Sequence, residues 1–278
     1  WSLFTCRSRK AGLIRHPNLS HGQTTRHPRG ENIPTMSTIL ITGANRGIGL
    51  ELARQYANGG WTVLACCRSP EKADELNTLA AGFRDRDDAE ADAKADGGIR
   101  VYPLDVRDAA QRAALAAGLE GHPIDILCNN AAISGDWDAQ GFGGCQADPW
   151  LAVLHTNVIA PMLMTQDFVE NVAASPRRLI VNMSSRLGSF PNAFDDCYFY
   201  CSSKAALNKV TLSCARDLAR RGITVVALHP GWVRTDMGGP NAALSVAASV
   251  VALRKNLAGI TLSDSGRFMD MDGTTIPW

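Results

Sequence analysis

The chain has 278 residues, of which 45% are hydrophobic, and its formal net charge is +1. That length and apolar content are enough for one large domain with a sizeable core. Residues 1–35 contain six of the 28 Lys and Arg but one of the 27 Asp and Glu, so the remainder holds 22 basic and 26 acidic residues. A main body with excess negative charge argues against nucleic acid as a partner.

The sequence also gives no indication of a membrane-spanning segment or of a metal site. No run of about 18 apolar residues occurs, so we expect no membrane span. The eight cysteines show no C-x-x-C spacing and no regular framework. We therefore expect reduced thiols, no metal site and a cytoplasmic location.

Residues 1–35 differ in character from the rest. They begin with Trp1, lack apolar periodicity and contain three prolines. One interpretation is an organellar transit peptide, since the segment is rich in Arg and Ser/Thr and poor in acids. The interpretation we prefer is upstream sequence before a start at Met36, because residues 36–278 form a complete pattern without it. In either case we expect residues 1–35 to be disordered or loosely attached, and residues 36–278 to form a single domain.

From residue 38 onward, short apolar runs alternate with helical patterns. The predicted strands are Thr38–Thr42, Trp61–Cys67, Ile99–Leu104, Ile124–Cys128, Leu179–Met183, Thr224–Leu228 and Arg267–Met269. The predicted helices are Ile48–Asn58, one capped by Ser69-Pro70, Asp108–Leu119, a long one from Asp148-Pro149 to Val172, Tyr198–Arg221 and Leu244–Leu257. The acid-rich stretch Arg84–Asp96 is expected to be a solvated surface insertion. This alternation predicts an α/β fold of the Rossmann type, doubly wound, with a mostly parallel seven-stranded sheet and helices on both faces.

A glycine-rich loop follows the first predicted strand. It reads T-G-A-N-R-G-I-G and places Gly43, Gly47 and Gly49 between a strand and a helix. Glycines there allow a tight turn and a close approach of the backbone to a pyrophosphate, which the helix N-terminus favours. The spacing G-x-x-x-G-x-G resembles that of the short-chain dehydrogenase/reductase family, and the resemblance extends over about residues 37–278.

The second predicted strand indicates which dinucleotide is bound. It ends in A-C-C-R-S, so Arg68 stands where an acid would hold a ribose 2′-hydroxyl, and Arg46 lies in the glycine loop. Guanidinium groups match the oxygens of a 2′-phosphate. We therefore expect NADPH/NADP+ rather than NADH.

Further cofactor contacts follow from the family resemblance. It implies contacts from the glycine loop, from L-D-V and N-N-A-A after two further strands, and from P-G-W-V-R-T after the sixth. The residues are Asn45, Ile48, Asp105, Val106, Asn129, Ala131, Pro230, Gly231, Val233 and Thr235. Ala132 replaces the family's usual glycine, and Asn130 either supports the loop backbone or contacts the cofactor.

The candidate proton donor lies in Y-F-Y-C-S-S-K. Lys204 follows Tyr200 by four residues and so shares its helical face, whereas Tyr198 is six residues away and faces elsewhere. A cation nearby can lower the pKa of a phenol. Tyr198 is expected to line the substrate pocket or to pack.

The family resemblance assigns roles to four residues. It implies that Tyr200 is the general acid, that Ser185 holds the substrate oxygen, that Lys204 lowers the pKa of Tyr200 and binds the nicotinamide ribose, and that Asn157 anchors a water of the proton relay. Ser184, His155 and His229 are expected to be structural.

The sequence favours an NADPH-dependent reductase of aldehydes or ketones. The substrate is expected to be small and apolar, because the loops over the cleft carry Phe190, Phe194, Trp232 and Met237. S-S-R-L-G-S, Gly238–Ala242 and the terminal D-G-T-T-I-P-W resemble the branch with C-factor and sniffer-type carbonyl reductases. That likeness keeps open an alternative, a cofactor-binding regulatory protein with little turnover. The family also implies a homodimer or homotetramer.

Overall fold

The structure, a computed structural model, describes residues 37–84, 97–192 and 195–278. The predicted leader, most of the acid-rich insertion and Phe194 lie outside the described residues. The described part of the chain contains one sheet with strands β1 (Thr38–Thr42), β2 (Thr62–Cys67), β3 (Gly98–Pro103), β4 (Ile126–Asn129), β5 (Leu179–Met183), β6 (Thr224–His229) and β7 (Phe268–Asp270).

The strand order is β3-β2-β1-β4-β5-β6-β7, and every neighbouring pair is parallel. The chain builds outward from β1 to β3, returns beside β1 as β4, and then builds outward the other way. Ligands of such sheets bind where this order reverses, beyond the carboxyl ends of the strands. The predicted fold class is confirmed.

Helices cover both faces of the sheet. They are α1 (Gly47–Asn58), α2 (Asp74–Arg84), α3 (Ala109–Gly118), α4 (Ala147–Leu154), α5 (Ala160–Ala174), α6 (Tyr198–Leu218) and α7 (Val246–Gly259). One core cluster joins the sheet to α1, α2 and α7, and the other joins it to α3, α5 and α6. Leu52 and Phe168, one in each cluster, are fully buried, and each such side chain contributes about 1.5–3 kcal/mol of transfer free energy.

The second helix begins later than expected. Pro70–Lys72 forms a 3₁₀ turn in which the Ala73 N–H bonds the Pro70 carbonyl, and Ser69 makes no side-chain capping bond. The backbone of Ala73 then leaves helical geometry, with ψ at 57°, and α2 starts at Asp74. The prediction of a Ser69 cap was therefore wrong.

The predicted long helix is interrupted. Between α4 and α5 the residues His155–Ile159 form a π-helical segment that contains Asn157. Pro161 has no N–H and cannot donate to the Asn157 carbonyl as a regular α-helix requires. The helix also begins with Gln146, rather than Asp148, as its N-cap.

Two of the cysteines are bonded to each other. Cys197 and Cys201, at the N-cap and in the first turn of α6, form a disulfide with their Cα atoms 5.5 Å apart. The expectation of reduced thiols was wrong for this pair, because C-x-x-x-C at a helix start also meets the geometric requirement. The five other cysteines in the described residues are free.

None of the described helices is long and apolar enough to cross a membrane. Within the same residues, no group of three His, Cys, Asp or Glu side chains is arranged to hold a metal ion.

Candidate active site

Six of the seven strands deliver predicted site residues to one edge of the sheet. The carboxyl ends of parallel strands meet at that edge, so residues far apart in the chain become neighbours. The residues that end β1 to β6 or follow them within two positions are, in chain order, Gly43, Arg68, Asp105, Asn129, Ser185 and Pro230.

The glycine loop is shaped by its backbone. Gly43 and Gly47 have φ of +66° and +54°, in the left-handed region that favours glycine. A Cβ on Gly49 would lie 2.2 Å from the Gly43 carbonyl oxygen, so α1 can pack this closely on the loop only with glycine there. A Cβ on Gly47 would lie 3.3 Å from the Thr235 side chain, which places the loop after β6 against the glycine loop.

The N-terminus of α1 suits an anionic group. Arg46 occupies the N-cap without a side-chain capping bond, and the first turn holds no acidic residue. Its N–H groups and its dipole can therefore serve an anion. Asn45 and Ile48, which flank these glycine positions, lie partly buried in the same loop and first turn. The residues present fit a pyrophosphate.

The N-N-A-A segment supports the glycine loop. Asn130 Nδ2 donates to the carbonyls of Thr42 at 2.9 Å and Gly43 at 3.2 Å, so its amide acts on the loop backbone. Ala131 lies under Gly43, where a Cβ on that glycine would come within 3.0 Å of the Ala131 Cα. Asn129 donates to the Asn182 side chain at 2.9 Å, and its own Oδ1 is buried with no partner in the described residues.

The arginines that were expected to share one corner have different partners. Arg46 forms an ion pair with Asp236, on the loop after β6. Arg68 is exposed beyond β2. The pKa of Asp105 lies below its usual range, mainly because Arg107 is hydrogen-bonded to it and to a smaller extent because Arg68 is nearby. Arg107 donates from Nη2 to Asp105 at 2.8 Å, and the sequence reasoning missed this third guanidinium.

Val106 is buried, and its carbonyl accepts from Arg112 at 2.8 Å. That bond fixes the backbone directly after Asp105, at the end of β3 where the adenine contacts were predicted. Arg112 is in turn paired with Asp167 on α5, so the L-D-V segment is anchored to the helix layer.

The catalytic candidates converge between β5 and α6. Tyr200 is buried, and the Ser185 side chain lies close enough to its phenol to lower the phenol's pKa. Ser185 Oγ also accepts from the Leu187 N–H at 3.2 Å as the cap of a short 3₁₀ turn. Its hydroxyl hydrogen therefore remains available to Tyr200 or to a substrate oxygen. Ser184 instead donates to Asn208 at 2.5 Å, as expected for a structural residue.

Burial decides the protonation of the tyrosine–lysine pair. It raises the pKa of Tyr200 to about 12, against a smaller lowering by the Ser185 hydrogen bond. It lowers the pKa of Lys204 to about 7. Lys204 Nζ donates to the Met183 carbonyl at 2.8 Å and lies 5.4 Å from the Tyr200 ring centre. Contrary to expectation, the pKa of Tyr200 thus lies above its ordinary value, and the phenol carries its proton at neutral pH.

Three hydrogen bonds hold the Asn157 side chain in place. Its Oδ1 accepts from the Ile133 N–H at 2.9 Å, and its Nδ2 donates to the Ile133 carbonyl at 2.8 Å and to Ser203 Oγ at 3.0 Å. Ser203 in turn donates to the Tyr200 carbonyl at 2.7 Å. Both amide hydrogens are used, so any water bound by Asn157 would be bound at an oxygen.

The segment after β6 turns sharply back over the glycine loop. Gly231 has φ of +86°, and Val233 bridges to Leu244. Thr235 Oγ1 accepts from the Gly238 N–H at 3.1 Å, while the Pro230 carbonyl accepts from Ser249 at 2.6 Å.

His229, at the end of β6, is unsuited to proton transfer near neutral pH. Burial lowers its pKa to about 4, although the Asp270 carboxylate opposes the shift and Arg186 adds to it. A structural residue was expected at this position.

Of the aromatic side chains that follow the strands or start α6, one packs on Tyr200 and three others are exposed. Phe190 and Trp232 are exposed, as is Tyr198 on the outer face of α6. Trp137, which the sequence reasoning missed, packs edge-on against Tyr200 with ring centres 5.5 Å apart. No periodic or motif signal marks Trp137, because it lies in the irregular loop after β4.

The comparisons with known proteins agree with this geometry. The chain is 38% identical to the C-signal of Myxococcus xanthus over 157 residues, which is 56% of this chain and 93% of that protein. Its structure resembles the carbonyl reductase Sniffer of D. melanogaster (TM-score 0.77, 31% identity, 87% of this chain and 100% of that one). It also resembles an NADPH-bound carbonyl reductase from chicken fatty liver (TM-score 0.78, 32% identity, 87% and 99%). The family model described as short chain dehydrogenase matches residues 37–243, and the chain belongs to that family.

Proposed function

We propose that this protein is an NADPH-dependent oxidoreductase that reduces the carbonyl group of a small, apolar aldehyde or ketone. The observation that carries the proposal is a buried tyrosine hydroxyl close to the Ser185 hydroxyl, in a fold whose glycine loop is shaped for a dinucleotide. The NADPH-bound carbonyl reductase among its structural neighbours supports the same activity.

The fold supplies the parts of a cofactor site. The N-terminus of α1 would hold the pyrophosphate, Arg68 and Arg46 the 2′-phosphate, Asp105 and Val106 the adenine, and Lys204 the nicotinamide ribose. Arg46 would exchange Asp236 for the phosphate, since guanidinium groups bind phosphate in paired geometry. When bound, NADPH supplies the hydride.

Ser185 and Tyr200 would act on the substrate oxygen. Ser185 Oγ is oriented by the Leu187 N–H, so its own hydrogen can point at a carbonyl oxygen placed between the two hydroxyls. Tyr200 would then donate its proton as negative charge develops on that oxygen, as a general acid. The phenol holds its proton at neutral pH, and a positive charge on Lys204 would lower its pKa from about 12 and make it a better acid.

The reprotonation path would run through Lys204 and Asn157. Pro161 cannot donate to the Asn157 carbonyl in the regular helical pattern, so that oxygen lacks its usual helical donor and could accept from a water. Lys204, with a pKa of about 7, can exchange a proton near neutral pH. We therefore assign the relay water to the backbone oxygen of Asn157 rather than to its amide.

A second candidate function rests on the likeness to C-signal, which is a cofactor-binding regulatory role with little turnover. The proximity of the Ser185 and Tyr200 hydroxyls favours the enzyme, because cofactor binding alone does not use these two groups.

Oxidation of NADPH, measured against a panel of aldehydes, diketones and quinones, separates the two functions. The enzyme predicts acceleration by at least one apolar carbonyl compound, and loss of that acceleration in Tyr200→Phe. Tight NADPH binding with no acceleration by any carbonyl compound would favour the regulatory role.

We also propose a homodimer or homotetramer, a cytoplasmic location and a single folded domain over residues 36–278. Light scattering coupled to gel filtration tests the first, and the family resemblance supports it. A monomer at micromolar concentration would contradict it.

A further inference from the structure

The loop between β4 and α4 is fastened to the start of the catalytic helix. Gly135, in this loop, has φ of +77°, and a Cβ there would lie 3.1 Å from Val153 and 3.4 Å from the Phe199 ring. The left-handed φ favours glycine, and any larger side chain would press on Val153 and Phe199. Two residues further on, Trp137 packs edge-on against Tyr200.

Gln140 is the centre of this attachment. It is completely buried. Its Nε2 donates to the carbonyls of Ser134 at 3.1 Å and Asp136 at 3.2 Å, and its Oε1 accepts from the backbone N–H of Tyr200 at 3.0 Å. The side chain therefore uses both donors and its acceptor, and it ties the loop to a residue sixty positions along the chain.

The Tyr200 N–H belongs to the first turn of α6, where backbone N–H groups have no partner within the helix. The N-cap residue, Cys197, provides no side-chain capping bond. Gln140 therefore satisfies, from another loop, the N–H of the residue whose phenol is the proposed proton donor. Leaving that buried N–H without an acceptor would cost stability and would allow the turn to shift.

We infer that Gln140 is a positioning residue for proton transfer: it sets the backbone of Tyr200, and through Trp137 the ring, so that the phenol meets Ser185 and the substrate oxygen. Within the described residues, Gln140 makes no hydrogen bond to the glycine loop or to the residues after β6. Its effect is thus confined to the proton-donating half of the site. The inference rests on the proposed function, because it assigns Tyr200 the role of general acid.

The variants Gln140→Met and Gln140→Glu test the hydrogen-bond acceptor of Gln140 independently of the size of its side chain. Methionine has nearly the same length and no carbonyl oxygen, whereas glutamate, buried here as a protonated carboxyl, keeps an oxygen for the Tyr200 N–H and one donor for the Ser134 or Asp136 carbonyl. For Gln140→Met we expect kcat to fall roughly 10- to 100-fold, since small misplacements of reacting groups have effects of that size. The NADPH dissociation constant should remain that of the wild type, and the solvent deuterium isotope effect on kcat should rise. Gln140→Glu should recover part of kcat.

Gln146→Ala is the matched control. Gln146 lies in the same loop region, is exposed, and caps α4 without a side-chain bond. It should leave kcat, the NADPH dissociation constant and the isotope effect unchanged. Equal losses of kcat in the Met and Glu variants, or a loss of NADPH affinity in step with kcat, would overturn the inference.

Hydrogen exchange at the peptide containing Tyr200 keeps the two proposals distinguishable. If wild-type protein turns over no carbonyl compound, the proposed function fails. The Tyr200 amide should still lose protection in Gln140→Met but not in Gln146→Ala. Unchanged protection in Gln140→Met would overturn the contact on which the inference rests, whatever the activity.

Discussion

At the scale of single residues, the start of α6 presents two tyrosines in different surroundings. Tyr200 is buried against Ser185 and Trp137, while Tyr198 is 44% exposed on the other side of the helix. Only the first shares a face with Lys204, because side chains four apart align along a helix. Helical geometry therefore selects Tyr200 as the proposed proton donor.

Replacing each tyrosine by phenylalanine tests that choice. Tyr200→Phe removes the proposed general acid and should lower kcat roughly 10²- to 10⁴-fold, with the NADPH dissociation constant nearly unchanged. Tyr198→Phe is the control and should turn over close to the wild-type rate in the same NADPH oxidation assay. The opposite pattern, with Tyr198→Phe inactive and Tyr200→Phe active, would show that the assignment is wrong.

Lys204 should give stability a characteristic pH dependence. Burial lowers its pKa from 10.5 to about 7 in the folded protein. Between these two values the unfolded chain binds more protons than the folded one, so this group makes the free energy of unfolding rise with pH. Urea unfolding at pH 7 and pH 9 should therefore show a larger gain for wild type than for Lys204→Met.

The comparison of unfolding free energies is kept at or below pH 9 because buried thiols begin to contribute above it. Burial raises the pKa of the Cys66 and Cys128 thiols, and groups of that kind lower stability as pH rises above their ordinary pKa. Both cysteines are present in wild type and in Lys204→Met, so their effect cancels in the comparison. If the free energy of unfolding changed equally in wild type and Lys204→Met, Lys204 would have the same protonation in the folded and unfolded states.

At the scale of elements, the sequence predicted β1 and β5 to the residue and the start of α6 at Tyr198. Apolar strands covered on both faces, separated by helical patterns, carry a strong local signal. The π-helical segment at Asn157 was missed, although Pro161 four residues later is a signal for it. Gln140 could not have been found, because its partner lies sixty residues away and meets it only in the folded chain.

The disulfide at the start of α6 should stabilise the protein modestly. Cys197 and Cys201 are four residues apart, and closing so short a loop in the unfolded chain corresponds to about 2 kcal/mol. We expect dithiothreitol, or the double variant Cys197→Ser/Cys201→Ser, to lower the free energy of unfolding in urea by that amount. Cys145→Ser removes an exposed free cysteine and should respond to dithiothreitol as wild type does. A double variant as stable as oxidised wild type would contradict the prediction.

At the scale of the whole molecule, the site joins both halves of the sheet. The glycine loop and Arg68 follow β1 and β2, whereas the catalytic residues and Thr235 follow β5 and β6 on the other side of the point where the strand order reverses. A dinucleotide that contacts both sides binds the folded state alone. Its binding free energy therefore adds to the stability of the entire fold.

NADPH should accordingly raise the melting temperature, and more than NADH does. At 100 times its dissociation constant a ligand adds about 2.7 kcal/mol, which for a protein of this size corresponds to roughly 5–10 °C. Arg68→Ala should shrink the NADPH shift towards the NADH value, because the 2′-phosphate loses its guanidinium partner. Arg221→Ala removes an exposed ion pair with Glu170 at the far end of α6 and should leave both shifts intact. If Arg68→Ala reduced the two shifts equally, Arg68 would support the fold of the site rather than read the phosphate.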